Sequence, residues 1–96
     1  MNPAGNKDYF VYALVSLADG VIYVGMATNC EARLKQHNSG KSIYTSGHCP
    51  WKLFFKESAG ESCKARVKEK YYKSATGKKR LREILAKADG NGSLPA

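Results

Sequence analysis

Long apolar runs are missing from this chain of 96 residues: the longest, Tyr9–Val15, falls well short of the roughly 20 residues that a membrane-spanning helix needs. The opening Met-Asn-Pro-Ala-Gly-Asn-Lys-Asp lacks the apolar core of a secretory signal, so no membrane association and a cytoplasmic location are expected. Cysteine is scarce as well. Cys30, Cys49 and Cys63 are odd in number and contain no Cys-x-x-Cys spacing, which argues against a disulfide framework, a zinc site or a redox couple and for reduced thiols in core or loop positions. Acidic residues are few: eight Asp and Glu face sixteen Lys and Arg, a net charge of +8 with His neutral. That excess points to a polyanionic partner. A disordered basic tail is excluded by the 43% hydrophobic and 10% aromatic content.

This length supports one core, so a single domain over residues 8–88 is expected, with flexible segments at 1–7 and 89–96 and no internal repeat. Charge is unevenly spread within it. Residues 1–60 hold six basic and four acidic residues, whereas residues 61–96 hold ten basic and four acidic. Lys64 to Arg82 contains nine basic residues and one acid, Glu69.

Two β-branched and aromatic runs, Tyr9 to Val15 and Val21 to Val24, flank Asp19-Gly20 and predict a β-hairpin, with Gly25 ending its second strand. Thr28 or Asn29 can cap a helix that carries Glu31 in its first turn and Leu34 inward, and that closes at Gly40. Residues 40–50 have turn composition and no period, predicting a surface loop, and a third strand follows from Trp51 to Lys56. Ser62 is positioned to cap a second helix reaching about Lys73, and Gly77 to separate it from a third, where Leu81, Ile84, Leu85 and Ala88 recur on one face. The order β-β-α-β-α-α predicts an α+β domain: a small antiparallel sheet with helices against it.

Candidate chemistry is sparse. Arg33 and His37, four apart on the first helix, share a face and could meet one phosphate together; an ordinary solvated face has the same spacing. Tyr12 and Tyr23 lie on paired strands. Either ring can serve core packing, or its phenol, of pKa about 10, can act as a base where cations stabilise the phenolate. Glu69 stands among Lys64, Arg66, Lys68, Lys70 and Lys73, as a salt-bridge partner or as one carboxylate holding a Mg²⁺ completed by water and substrate phosphate. Too few acids surround it for a two-metal site.

Taken together, Val11-Tyr12, Tyr23-Val24-Gly25, Arg33-x-x-x-His37-Asn38 and the late Glu69 in Lys-Glu-Lys-Tyr-Tyr-Lys resemble the GIY-YIG nuclease family, above all its small stand-alone members. Tyr44-Thr45 before Pro50-Trp51-Lys52-Leu53, and Lys73-Ser74-Ala75-Thr76-Gly77, also look like that subgroup, and the likeness spans residues 8–85. The resemblance implies a three-stranded antiparallel sheet flanked by helices and hydrolysis of DNA phosphodiesters with a single Mg²⁺ or Mn²⁺. By motif position, Tyr12 and Tyr23 would flank the nucleophilic water, one of them as general base. Arg33 would hold the scissile phosphate, His37 would assist by hydrogen bonding or proton transfer, Glu69 would bind the metal, and Gly25 would let the strand approach the phosphate.

Two departures stand out. Phe10-Val11-Tyr12 lacks the family's leading Gly, and the late asparagine of many members has no counterpart, Asn91 lying too far along. Lys35 and Lys41 are candidates for the basic residue that some members place near the catalytic tyrosine, and Lys64, Lys68, Lys73 and Lys78 for contacts to nucleic acid, DNA first with RNA not excluded. His48 reads as an ordinary loop residue. The expected activity is a Mg²⁺-dependent DNA endonuclease, with a non-catalytic nucleic-acid-binding module as the alternative; a pure protein-interaction domain would leave the basic second helix unexplained. No helix-turn-helix, zinc finger or minor-groove arm is apparent, so structure-, damage- or partner-directed cutting is expected, with a protein partner possible.

Overall fold

The computed structural model describes residues 8–41 and 43–93. The chain forms an α+β domain with the expected order of strands and main helices: β1 (Tyr9–Ser16), β2 (Ile22–Ala27), α1 (Cys30–Asn38), a single-turn helix α2 (Ile43–Ser46), β3 (Trp51–Gly60), α3 (Ser62–Lys73) and α4 (Ala75–Ser93). One antiparallel sheet has the order β2-β1-β3. Among the described residues no helix is long and apolar enough to cross a membrane. The segment expected to be flexible at 1–7, and residues 94–96, lie outside the described residues.

β1 occupies the centre because its two faces are both apolar. Phe10, Tyr12 and Leu14 alternate with Val11, Ala13 and Val15, and the sheet separates two hydrophobic clusters. Tyr12, Leu14, Ala27, Cys30 and Trp51 form the first, beneath α1; Val11, Ala13, Val24, Ala65, Tyr72 and Leu81 belong to the second, beneath α3 and α4. The hairpin turn uses Gly20 at φ +79°, and Asp19 Oδ1 accepts from Val21 N at 3.1 Å. Helix α1 is capped by Asn29, whose Oδ1 accepts from Ala32 N at 3.0 Å.

Several boundaries differ from the sequence reading. β2 continues through Gly25 to Ala27, so that glycine is interior and pairs with Tyr12. β3 runs past Lys56 because the carboxylate of Glu57 is met by Lys68 Nζ at 2.7 Å and Tyr72 Oη at 2.7 Å, which makes a polar residue acceptable in a packed strand. Part of the expected loop is helix α2. At the start of α3 it is Glu61 that occupies the N-cap, without a side-chain bond, and Ser62 is already helical. The break between α3 and α4 falls at Ser74, whose extended backbone ends α3 and whose Oγ accepts from Gly77 N at 3.2 Å. Gly77 lies inside α4, where a Cβ would stand 2.5 Å from Tyr72 Cα; the glycine permits close packing of α4 on α3. α4 continues to Ser93, past the boundary drawn at residue 88.

Candidate active site

The hairpin register sets the first two site residues. Tyr12 pairs with Gly25 and Leu14 with Tyr23, so both tyrosines project from the same face, their ring centroids 6.3 Å apart. Helix α1 lies over that face and delivers His37 between them. The His37 ring is 4.8 Å from Tyr23 and 6.3 Å from Tyr12, centroid to centroid, and its Nε2 lies 3.2 Å from Tyr12 Oη. On its other side Nδ1 meets Thr45 Oγ1 at 2.9 Å. Tyr12 and Thr45 are fully buried and His37 is 2% exposed. One turn earlier on α1, Arg33 is exposed, and its guanidinium engages the hydroxyls of Tyr12 and Tyr23.

Charge follows from these contacts. Burial pushes the Tyr12 phenol above its usual range even though Arg33 pulls the other way. Burial, reinforced by the Arg33 cation, lowers His37, so its imidazole is neutral at pH 7. The contact with Tyr12 raises Arg33 in turn, keeping a permanent cation at the mouth of the site.

Arg33 and His37 therefore do not share an open face as their spacing suggested. Both ring nitrogens of His37 are occupied by Tyr12 and Thr45, and the imidazole connects to the site through Tyr12. The space that a side chain at Gly25 would fill is taken by Tyr12, with a Cβ there only 2.6 Å from Oη. Tyr23 is half-buried. It lines an open cavity of about 380 Å³ together with Ile22, Val24, Lys73 and Lys78, at the free edge of β2.

Glu69 sits on α3, on the opposite face of the sheet. Its side chain is 16% exposed and pairs with Lys73 at 3.3 Å, and that lysine lines the same cavity as Tyr23. Among the described residues no three His, Cys, Asp or Glu side chains are grouped to hold a metal. The donor set at Glu69 is thus a single carboxylate. It suits a hard cation such as Mg²⁺ that keeps several waters and takes phosphate oxygens, and no ion held by an all-protein cage.

The lysines divide. Lys68 is tied to Glu57, whose carboxyl this contact holds below its usual range, so its charge is compensated within the fold. Burial and the Glu57 carboxylate push the Tyr72 phenol up to about 12, completing that cluster. Lys78 reaches Ile22 O at 3.5 Å across the cavity, while Lys35, Lys41 and Lys64 are exposed. The three cysteines are free thiols, and His48 pairs with Asp19 at 2.6 Å, fastening the segment before β3 to the hairpin turn.

Sequence reasoning missed the support behind His37. Trp51 Nε1 donates to Thr45 O at 2.9 Å, Trp51 N donates to Asn38 Oδ1 at 2.5 Å, and Asn38 Nδ2 donates to Trp51 O at 3.1 Å. These contacts bridge α1, α2 and β3, and an aperiodic stretch gives no local signal of them.

Comparison with known proteins agrees with this arrangement. The sequence profile described as the GIY-YIG catalytic domain matches residues 8–82. A UPF0213 protein of Bacillus licheniformis is 37% identical over 83 residues, covering 85% of this chain and 84% of its own length. A UPF0213 protein of Natronomonas pharaonis is 36% identical, covering 80% and 91%, and one of Clostridium perfringens is 35% identical, covering 82% and 85%. No solved structure matches significantly.

Proposed function

Since the chain belongs to the GIY-YIG catalytic-domain family, a nuclease family whose small single-domain members include its UPF0213 relatives, we propose that it is a metal-dependent endonuclease acting on DNA. The observation that carries this reading is that Tyr23, which shares the Arg33 cation with Tyr12, also lines a basic cavity whose rim holds Lys73, the partner of Glu69.

In this reading a phosphodiester lies along the β2 edge, its backbone drawn by Lys73 and Lys78. Arg33 offers a planar fork to the oxygens of the scissile phosphate. Tyr23 reaches solvent whereas Tyr12 is fully buried, so in this reading Tyr23, its own phenolic proton first released to solvent beside the Arg33 cation, takes the proton of the attacking water. Water adds to phosphorus, the bond to the leaving oxygen breaks, and that oxygen is released with a proton from solvent. Glu69 would hold Mg²⁺ or Mn²⁺, and the chemistry such an ion supplies when bound is stabilisation of charge on the phosphoryl and leaving oxygens. Tyr12 and His37 stand behind Arg33 and orient it.

The shape of the substrate, or a protein partner, would select the target, since the charged surface alone offers phosphate contacts without base readout. The test is a cleavage screen over duplex, branched and single-stranded DNA and RNA with Mg²⁺ or Mn²⁺. Glu69→Gln and Tyr23→Phe should abolish cutting and retain binding. Binding with no cutting by the unaltered protein on any substrate would favour a non-catalytic nucleic-acid-binding module.

A further inference from the structure

Thr45 has no charge and touches no open surface, yet it is fully buried at the end of a chain of polar contacts that leads to Arg33. We infer that Thr45 is a positioning residue: it accepts a hydrogen bond from His37 Nδ1–H, fixing the neutral tautomer whose Nε2 lone pair receives the hydroxyl proton of Tyr12. Three observations carry this.

The first is the donor inventory. A neutral imidazole has one N–H and one lone pair, and here its two nitrogens face hydroxyls at 2.9 Å and 3.2 Å. Arg33 can only donate, so the interaction that raises it takes up a lone pair of Tyr12 Oη and not the phenol proton. Were His37 to donate from Nε2 as well, Oη would receive two bonds, and the buried phenol proton would lose His37 as its acceptor. The second is the field. The guanidinium engages the hydroxyl that faces Nε2, and a cation on that side favours the lone pair there and the N–H at the far nitrogen.

The third is rigidity. Thr45 is held by its carbonyl, which accepts from Trp51 Nε1 at 2.9 Å and from Cys49 Sγ at 3.7 Å. The one S–H of Cys49 is shared between that carbonyl and His37 O, which lies 3.2 Å from Sγ. Asn38, next to His37 on α1, clamps the Trp51 backbone through both its donor and its acceptor. The histidine and the threonine are thus fixed to the same tryptophan, and their separation cannot relax independently of it. The order Thr45, His37, Tyr12, Arg33 then carries orientation from a buried side chain to the exposed cation on α1.

Its consequence for turnover rests on the nuclease reading, whereas the tautomer itself does not. The experiment is a long-range ¹H–¹⁵N spectrum of the His37 imidazole at pH 7.5 in the full chain, compared with Thr45→Val and Thr45→Ser. The expected result is an Nδ1-protonated ring in the unaltered protein and in Thr45→Ser. In Thr45→Val, which keeps the shape and removes the acceptor, the population moves toward the Nε2-protonated form. Where cleavage is measurable, Thr45→Val lowers kcat by about 10-fold or more with KM unchanged, by analogy with removing a partner that orients a metal-bound histidine, and Thr45→Ser restores it. An Nε2-protonated ring in the unaltered protein overturns the inference, and so does an unchanged tautomer in folded Thr45→Val. If Thr45→Val does not fold, the tautomer of the unaltered protein and of Thr45→Ser decides. Absence of cleavage on every substrate would count against the nuclease reading and leave the spectra as the test of Thr45.

Discussion

Gly25 and Tyr12 face each other across the β1–β2 ladder, and the tyrosine occupies the volume that any side chain at Gly25 would need. A Cβ there would lie 2.6 Å from Oη, 2.8 Å from Cζ and 3.1 Å from Cε2 of a ring with no exposed surface. The missing side chain on one strand is thereby part of the hydrogen-bonded system on the other, because the hydroxyl it accommodates is the one that meets His37 and Arg33.

Gly25→Ala should therefore act at a distance from substrate. The ring is enclosed, so the added methyl displaces the phenol or spreads the strands, at a cost of about 1–3 kcal/mol for overpacking. Urea unfolding should show that loss, and cleavage should fall further than stability explains. A variant as stable and as active as the parent would mean that Tyr12 has room to retreat.

Gly77→Ala makes a separate case inside α4. Ala is ordinarily the better helix former by about 1 kcal/mol, so propensity alone predicts stabilisation. The close approach of α4 to Tyr72 Cα reverses the sign, since backbone cannot move aside as a flexible side chain can. The expected outcome is a lower melting temperature by calorimetry; a higher one would show that the α3–α4 junction can open without cost.

What was legible in the sequence follows from how locally each feature is determined. The hairpin, α1 and the tyrosine pair could be read because alternation, the Asp19-Gly20 turn and the Asn29 cap act within a few residues. Helical spacing correctly put Arg33 and His37 one turn apart. It could not show that the sheet buries His37 and leaves Arg33 exposed, which depends on how α1 lies on the tyrosines. Residues 43–46 and the second half of β3 were illegible for a related reason. The pairing of Asn38 with Trp51, and of Glu57 with Lys68 and Tyr72, joins segments far apart in sequence.

The buried imidazole should be visible in the pH dependence of stability. His37 binds its proton less readily folded than at its ordinary value of 6.5, so the unfolded chain takes up the proton first. Its contribution is fully present above about pH 6.5 and is lost as pH falls from there toward the lower folded value. Glu57 and Asp19, also lowered, act in the same direction but below their ordinary values of 4.5 and 3.8. Urea unfolding between pH 5 and 8 should show stability declining on the acid side, and His37→Asn should remove that slope while lowering stability throughout. An unchanged slope in the variant would assign it to another group.

The division among the lysines gives a test on nucleic acid. Lys68 lies 2.7 Å from Glu57 and already neutralises a carboxylate, whereas Lys78 meets an uncharged group, the Ile22 carbonyl, at 3.5 Å beside the cavity. A cation that contacts DNA phosphate releases about one counterion, so removing it should reduce the slope of log K against log salt by about one. Binding of a labelled DNA duplex, measured by anisotropy over a series of KCl concentrations on a Glu69→Gln background, should show that reduction for Lys78→Ala. Lys68→Ala should leave the slope unchanged and lower stability by up to about 1 kcal/mol, the range for a partly exposed ion pair. Equal loss of slope at both positions would mean that the Glu57 pair opens to DNA and that charge compensation in the free protein does not predict its binding surface.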